Sequence, residues 1–192
     1  VMHLEKYEKF ELFNLSHKNL LNKKTKILDV TDRAKLEAQI YSISPNFVIN
    51  CIGVLVNASK DLSRAKNLNA VLPHELKQIC SKTNSKLIHI STDCVFSGKK
   101  GLYKEDDLRD GKGVYAKTKI LGELIDDSNL TIRTSIIGPE LKSSGEGLFD
   151  WFMRQSGEVQ GYKNSIWSGV TTLELAKAIK WAIENNINGI YH

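Results

Sequence analysis

Lys86-Leu-Ile-His-Ile90-Ser91-Thr92-Asp93, followed by Tyr115-Ala-Lys-Thr-Lys119, is the stretch on which the reading of this chain turns. Residues 86–90 form an apolar run of strand length, and the hydroxyl of Thr92 stands just past its carboxyl end. Tyr115 and Lys119 are one helical turn apart, so they share a helix face. A strand-end hydroxyl can thus face a Tyr–Lys pair at the start of the next helix, which suits proton transfer to or from a carbonyl or an alcohol. An isolated tyrosine has a pKa of about 10, too high for efficient acid–base work at neutral pH, and a neighbouring ammonium is expected to lower it. The Tyr-x-x-x-Lys spacing alone arises often by chance; the strand-end threonine gives it weight. The competing reading is a helix with a packed tyrosine and an ordinary surface lysine.

Outward from this block the chain alternates strand and helix. Strands are expected at residues 10–15, 26–29, 47–52, 86–90 and 129–135, and another begins at 189–192. Helices are expected at 32–43, 58–83, 114–125, 148–154 and 173–185, and residues 1–9 read as an amphipathic helix. Ser44-Pro45 stops the helix at 43, because the residue before proline avoids the helical region. Pro73 kinks or breaks the long stretch at 58–83. Apolar strands alternating with helices predict an α/β fold with a doubly wound parallel sheet covered on both faces. Ligands of such sheets bind beyond the strand carboxyl ends, where Asp29, Gly53 and Thr92 fall. A dinucleotide site of this class needs a glycine-rich turn after the first strand. The first glycine here is Gly53, and Gly111-Lys-Gly-Val-Tyr-Ala116, which fits the fingerprint loosely, follows a charged loop and not a strand. The chain is therefore expected to start inside a first helix, just after such a turn.

Composition narrows the function classes. The 192 residues, 41% apolar and 26% charged, suit one domain or one domain and part of a second. No run of about 18 apolar residues occurs, so no membrane span is expected. The net charge is +5, with small lysine clusters at 22–26 and 99–100. A basic stripe interleaved with aromatic residues is missing, so nucleic acid is not an expected partner. The five histidines and three cysteines show no metal-ligand spacing, and no metal is expected. Cys51, Cys80 and Cys94 are odd in number and lie in or beside apolar runs; they read as reduced core thiols of a cytoplasmic protein.

Ser91-Thr92-Asp93-Cys94-Val95-Phe96-Ser97-Gly98, Tyr103-Lys-Glu105, and Tyr115-Ala-Lys-Thr-Lys119 with Leu121-Gly-Glu123 together resemble the extended short-chain dehydrogenase/reductase family. Within it, the resemblance is to the dTDP-4-dehydrorhamnose reductase-like sugar-nucleotide reductases. Asp29-Val30-Thr-Asp32 is similar to the family's acidic motif near adenine. Asn50-Cys51-Ile52-Gly53 resembles the segment lining the nicotinamide side. Asn69-Ala-Val-Leu-Pro-His74 resembles a family helix segment, and Leu130-Thr-Ile-Arg133-Thr-Ser135 a strand near the sugar-nucleotide site. The sequence departs from the pattern where Cys94 replaces the usual tyrosine and Ala116 the usual glycine. Gly161-Tyr162 and residues 166–172 also follow the rhamnose enzymes only loosely.

The resemblance implies a Rossmann-like dinucleotide-binding domain at 1–138 and part of a smaller substrate-binding region at 139–192, with segments returning to the core. It implies reduction of the C4 keto group of a nucleotide-linked 4-keto-6-deoxy sugar, in the synthesis of cell-surface polysaccharide precursors. Thr92, Tyr115 and Lys119 would be catalytic. Ser16, His17, Lys18, Asp29, Val30, Cys51, Ile52, Gly53, Asn69, Tyr115 and Lys119 would bind the cofactor, and Thr92, Asp93, Val95 and Arg133 the nucleotide-sugar substrate. Arg133 is read either as a partner of substrate phosphate or as a cap on the sheet edge, and Asn69 either as ordering a water near Lys119 or as fixing helix backbone. The second expected strand runs into Ser16-His17-Lys18 without an acid. An acid there would favour NAD by accepting from a free ribose 2′-hydroxyl, whereas this trio suits a 2′-phosphate. NADP is therefore expected, with NAD as the alternative. A homodimer is among the assemblies the resemblance allows. Two other functions stay open: a sugar-nucleotide epimerase or dehydratase, although Asp93 lacks the neighbouring acid a dehydratase would want, and a non-catalytic regulatory subunit.

Overall fold

The computed structural model describes residues 3–140 and 147–192, except the side chain of Asn57. Its strands are β1 (Asn14–Ser16), β2 (Thr25–Ile27), β3 (Phe47–Asn50), β4 (Lys86–Ile90), β5 (Leu130–Ile132), β6 (Ile136–Ile137), β7 (Val170–Thr171) and β8 (Gly189–Tyr191). All pairings among the described residues are parallel: β1 with β2, the four-stranded order β3-β4-β5-β8, and β6 with β7. The helices are α1 (Arg33–Ile43), α2 (Leu62–Ala65), α3 (Leu72–Lys82), α4 (Gly113–Gly122), α5 (Leu148–Met153) and α6 (Thr172–Glu184).

Alternation along β4 explains why both faces of the sheet are covered. Leu87 packs with Leu36 and Ile40 of α1 and with Leu72, Leu76 and Ile79 of α3. Ile88, the next residue, packs on the other face with Leu130 of β5 and with Leu175, Ile179 and Ala182 of α6. Successive strand residues point to opposite faces, so one apolar run feeds two cores. Leu72, Leu87 and Leu130 are at most 2% exposed, and burying each stabilises the fold by about 1.5–3 kcal/mol. The doubly wound parallel α/β arrangement expected from the sequence is present.

Local chemistry sets the helix limits. Asp32 caps α1 by accepting from the Lys35 N–H at 3.1 Å. Ser44, left-handed at φ 48°, ends it just before Pro45. Thr171 caps α6 in the same way, accepting from the Glu174 N–H. The stretch expected as one helix at 58–83 is divided: a 3-10 turn at Asn57–Lys60, α2, a π-helical segment Lys66–Val71, then α3. Pro73 has no N–H to offer the carbonyl of Asn69 four residues earlier, and the Leu72 N–H reaches back to Asn67 instead.

The released Asn69 carbonyl meets α4. A Cβ on Gly122 would sit 1.9 Å from it, with backbone on both sides. Gly122→Ala is therefore expected to destabilise the protein by about 1–3 kcal/mol, the cost of forced overpacking. Denaturant unfolding measures it, and an unchanged midpoint would show that α4 can withdraw from the π segment without cost.

Three other expectations need correction. Within residues 1–9 the described part forms only a 3-10 turn, Leu4–Lys6. The strand expected at 10–15 begins only at Asn14, because pairing with β2 covers just three residues. The strand at 129–135 divides into β5 and the two-residue β6, whose partner β7 is too short to leave a period-2 signature.

Candidate functional site

Thr92, Tyr115 and Lys119 come together at the carboxyl end of β4. Leaving the sheet, the chain enters a 3-10 turn, Asp93–Val95, capped by Thr92, whose Oγ1 accepts from the Cys94 N–H at 3.2 Å. The Thr92 hydroxyl donates to Asp93 Oδ1 at 3.2 Å, and Ser135 Oγ donates to the same oxygen at 3.0 Å. Tyr115 sits in the first turn of α4, half-buried, with the Thr92 side chain near enough to act on its phenol. One turn on, Lys119 is 4% exposed and its ammonium donates to the Ile90 carbonyl at 2.8 Å.

The electrostatics differ from the sequence expectation at the tyrosine. Burial raises the Tyr115 phenol above its usual value; the neighbouring Thr92 side chain pulls it back, and Cys94 and Asp93 push it further up. Lys119 was expected to lower it, but its ammonium is committed to a backbone carbonyl. Burial carries Lys119 itself down to about 8, against Glu123 and Cys51, which raise it. The phenol therefore keeps its proton at neutral pH, as a proton donor must.

The expected cofactor residues lie at the carboxyl ends of β1, β2 and β3. His17 and Asp29 approach across the first two strands, Nε2 to Oδ2 3.5 Å. Asp29 Oδ1 accepts from the Thr31 N–H and hydroxyl, which hold its carboxyl below the usual range. A groove of about 520 Å³ beside them is lined by His17, Lys26, Asp29, Asp32 and Lys35. An acid thus stands next to the second-strand turn after all. It comes from β2, which reading the end of β1 alone could not reveal. Ser16 is partly buried and accepts from the Asn19 N–H; Lys18 is exposed. Val30 packs on the core, and its carbonyl accepts from Arg33. Beyond β3, Cys51 and Gly53 are exposed and Ile52 half-buried, leaving backbone and small groups open to a planar ligand. Strand-end polar groups here and an open surface near Lys119 fit a dinucleotide.

Three expected binding residues are placed otherwise. Asn69 is fully enclosed: its Oδ1 accepts from the Val54 N–H at 2.7 Å, and its amide donates to the Val54 carbonyl and to Thr118 Oγ1. It fixes the loop after β3 against α4. Val95 is fully buried, with its carbonyl taken by the Gly111 N–H at 2.8 Å. Arg133, 3% exposed, is spent on Glu123, Nε to Oε1 2.8 Å and Nη2 to Oε2 2.9 Å. Its Nη1 donates to the Glu105 carbonyl and meets His192 Nε2. A guanidinium so engaged is not free for a substrate phosphate. Of the cysteines, only Cys80 belongs to the core; Cys51 and Cys94 are exposed, and all three are free thiols. Ser91, Arg109, Glu123 and Ser135, which the sequence reading did not assign, complete the surroundings of the site.

The RmlD substrate binding domain family model matches residues 8–192. The chain belongs to this family. It is 33% identical over 115 residues to a dTDP-4-dehydrorhamnose reductase of Aggregatibacter actinomycetemcomitans, covering 56% of this chain and 39% of that protein. It is 27% identical over 174 residues to the spore coat polysaccharide biosynthesis protein SpsK of Bacillus subtilis, covering 87% and 61%. Among solved structures, a hypothetical dTDP-4-dehydrorhamnose reductase from Sulfolobus tokodaii superposes with a TM-score of 0.82 at 28% identity, over 96% of this chain and 68% of that one. This RmlD-family chain therefore spans less than two thirds of both curated relatives, and its fold is the Rossmann-like one its sequence resembles. No helix among the described residues is long and apolar enough to cross a membrane.

Proposed function

We propose that this protein reduces the C4 keto group of a nucleotide-linked 4-keto-6-deoxy sugar with a reduced nicotinamide cofactor, in the synthesis of polysaccharide precursors. The observation that carries this reading is the convergence of Thr92, just past the carboxyl end of β4, with Tyr115 and Lys119 of α4, whose ammonium donates to the Ile90 carbonyl at 2.8 Å. The reductase relatives support the choice of substrate class. When bound, the cofactor supplies a hydride to the carbonyl carbon. Tyr115 Oη gives its proton to the developing alkoxide, Thr92 holds that oxygen, and Lys119 places positive charge beside the reacting groups. Residues 1–138 serve cofactor binding in this reading, and residues 139–192 contribute part of the sugar-nucleotide side. Reduction of a dTDP-linked 4-keto-6-deoxy sugar by the complete protein, followed through nicotinamide absorbance, tests it. Failure to oxidise either NADPH or NADH with this substrate would reject it.

NADP is the cofactor favoured by Ser16, His17 and Lys18. Lys18→Ala should weaken NADPH binding by about 1–2 kcal/mol, the range for a charge-assisted contact, and leave NADH nearly unaffected. Raising the salt concentration should shrink the preference, since the pair is exposed. Titrating both cofactors decides between the turn and Asp29: equal losses, or a wild type preferring NADH, would assign the ribose to Asp29.

A further inference from the structure

Glu123 is a carboxylate with no exposed side-chain surface, yet all of its acceptor capacity is used. Oε1 accepts from Ser91 Oγ at 2.7 Å and Arg133 Nε at 2.8 Å; Oε2 accepts from Arg133 Nη2 at 2.9 Å and Arg109 Nη1 at 3.1 Å. Burial alone would raise this carboxyl, but hydrogen bonds from Arg133 and Ser91, with Arg133's charge and Arg109, hold it below the usual range. A single buried acid between two arginines is a costly arrangement for stability alone, because apolar residues of similar volume often serve as well. Its placement gives it a second role. Glu123 follows Lys119 by one turn at the end of α4, and Ser91 immediately precedes Thr92. One carboxylate therefore joins the strand end that carries the hydroxyl to the helix that carries the phenol and the ammonium. Arg133 extends the tie to β5 and, through the Glu105 carbonyl, to the segment between β4 and α4.

We propose that Glu123 is a positioning residue of the Thr92–Tyr115–Lys119 site, setting the separation of β4 from α4 through Ser91 and placing a fixed negative charge one helical turn from Lys119. This rests on the reductase reading for its kinetic consequences, but the charge effect on Lys119 does not. Two titratable groups act on Lys119, Glu123 at the end of its own helix and Cys51 from the loop after β3, and Lys119 in turn acts on His89 of β4. His89 is fully buried and burial holds it neutral, down to about 3. The Cys51 thiol, although its residue keeps exposed surface, is raised by desolvation from the surrounding protein and stays protonated. Glu123 is thus the charged group among these at neutral pH.

The test compares wild type, Glu123→Gln and Ser91→Ala in the complete protein. Lys119 is titrated by NMR of isotopically labelled lysine, assigned with Lys119→Met, and turnover is followed against pH with NADPH. Glu123→Gln keeps the shape of the side chain and removes its charge. The Lys119 midpoint should fall by about one pH unit, as for loss of an opposite charge close by. The alkaline limb of the rate profile should move down with it, and kcat should drop about tenfold or more with the cofactor KM within about twofold, the signature of lost positioning and not lost binding. Ser91→Ala removes only the tie to Thr92; kcat should fall severalfold while the Lys119 midpoint stays in place. An unmoved midpoint in folded Glu123→Gln overturns the charge role, and unchanged kcat in Ser91→Ala overturns the tie. If Glu123→Gln does not fold, Ser91→Ala alone decides, its unchanged kcat rejecting the proposal. If wild type turns over no 4-keto sugar nucleotide, the reductase reading fails, whereas the NMR midpoint of Glu123→Gln still rules on Glu123.

Discussion

Tyr115→Phe is expected to lower turnover by roughly 10²-fold or more, the scale of general acid catalysis, with cofactor binding little changed. The ring is half-buried, so phenylalanine keeps its packing and removes only the transferable proton. The raised pKa of the phenol works in favour of this role, since the group enters the reaction protonated. On the alkaline side the wild-type rate of reduction should fall through about pH 8, where the buried Lys119 loses its charge, well before the tyrosine ionises. Steady-state kinetics of the variant against pH check both points. A rate close to wild type would place the proton donor elsewhere.

Arg133→Met is expected to destabilise the protein by about 3–5 kcal/mol, because it strands a buried carboxylate that had two of its four hydrogen bonds from this guanidinium. The sequence left Arg133 divided between a substrate phosphate and a structural role, and in the structure its guanidinium is paired with Glu123. Linkage gives the effect a signature. The folded state holds the Glu123 carboxyl below its unfolded value, so its contribution to stability is present above the unfolded carboxylate pKa and is lost as pH falls through the folded one. Without Arg133, burial opposes a weakened set of hydrogen bonds. The acid-side loss of stability should therefore be smaller in Arg133→Met than in wild type. Chemical denaturation at several pH values measures it. A variant of normal stability with a raised substrate KM would return Arg133 to the phosphate.

The sequence made the centre of the molecule legible because its signals there were short-range. An apolar run read as β4 ends where expected, and one-turn spacing put Tyr115 and Lys119 on the face of α4 that meets Thr92. What it could not show depends on contacts distant in sequence. Ser91, Arg109, Glu123 and Arg133 meet from four elements, so no local pattern distinguishes Arg133 from a phosphate-binding arginine. Asp29 reaches His17 only because β2 pairs with β1. Asn69 lies within the π segment, and its burial follows from the close approach of Gly122 across from it. The effect of Lys119 on the tyrosine was inferred from spacing alone, and spacing does not report that the ammonium is already bound to the Ile90 carbonyl.

The central claim is that this site delivers hydride to a sugar carbonyl, and isotope transfer tests it most directly. The complete protein is supplied with NADPH deuterated at the transferred position and a dTDP-linked 4-keto-6-deoxy sugar, and the product is examined by NMR. Deuterium is expected at C4 of the sugar, one label per cofactor oxidised, with the rate of transfer lowered by roughly 10²-fold or more in Tyr115→Phe. A sugar altered without deuterium at C4, or a cofactor that keeps its label, would contradict it and point to an epimerase or dehydratase on the same scaffold.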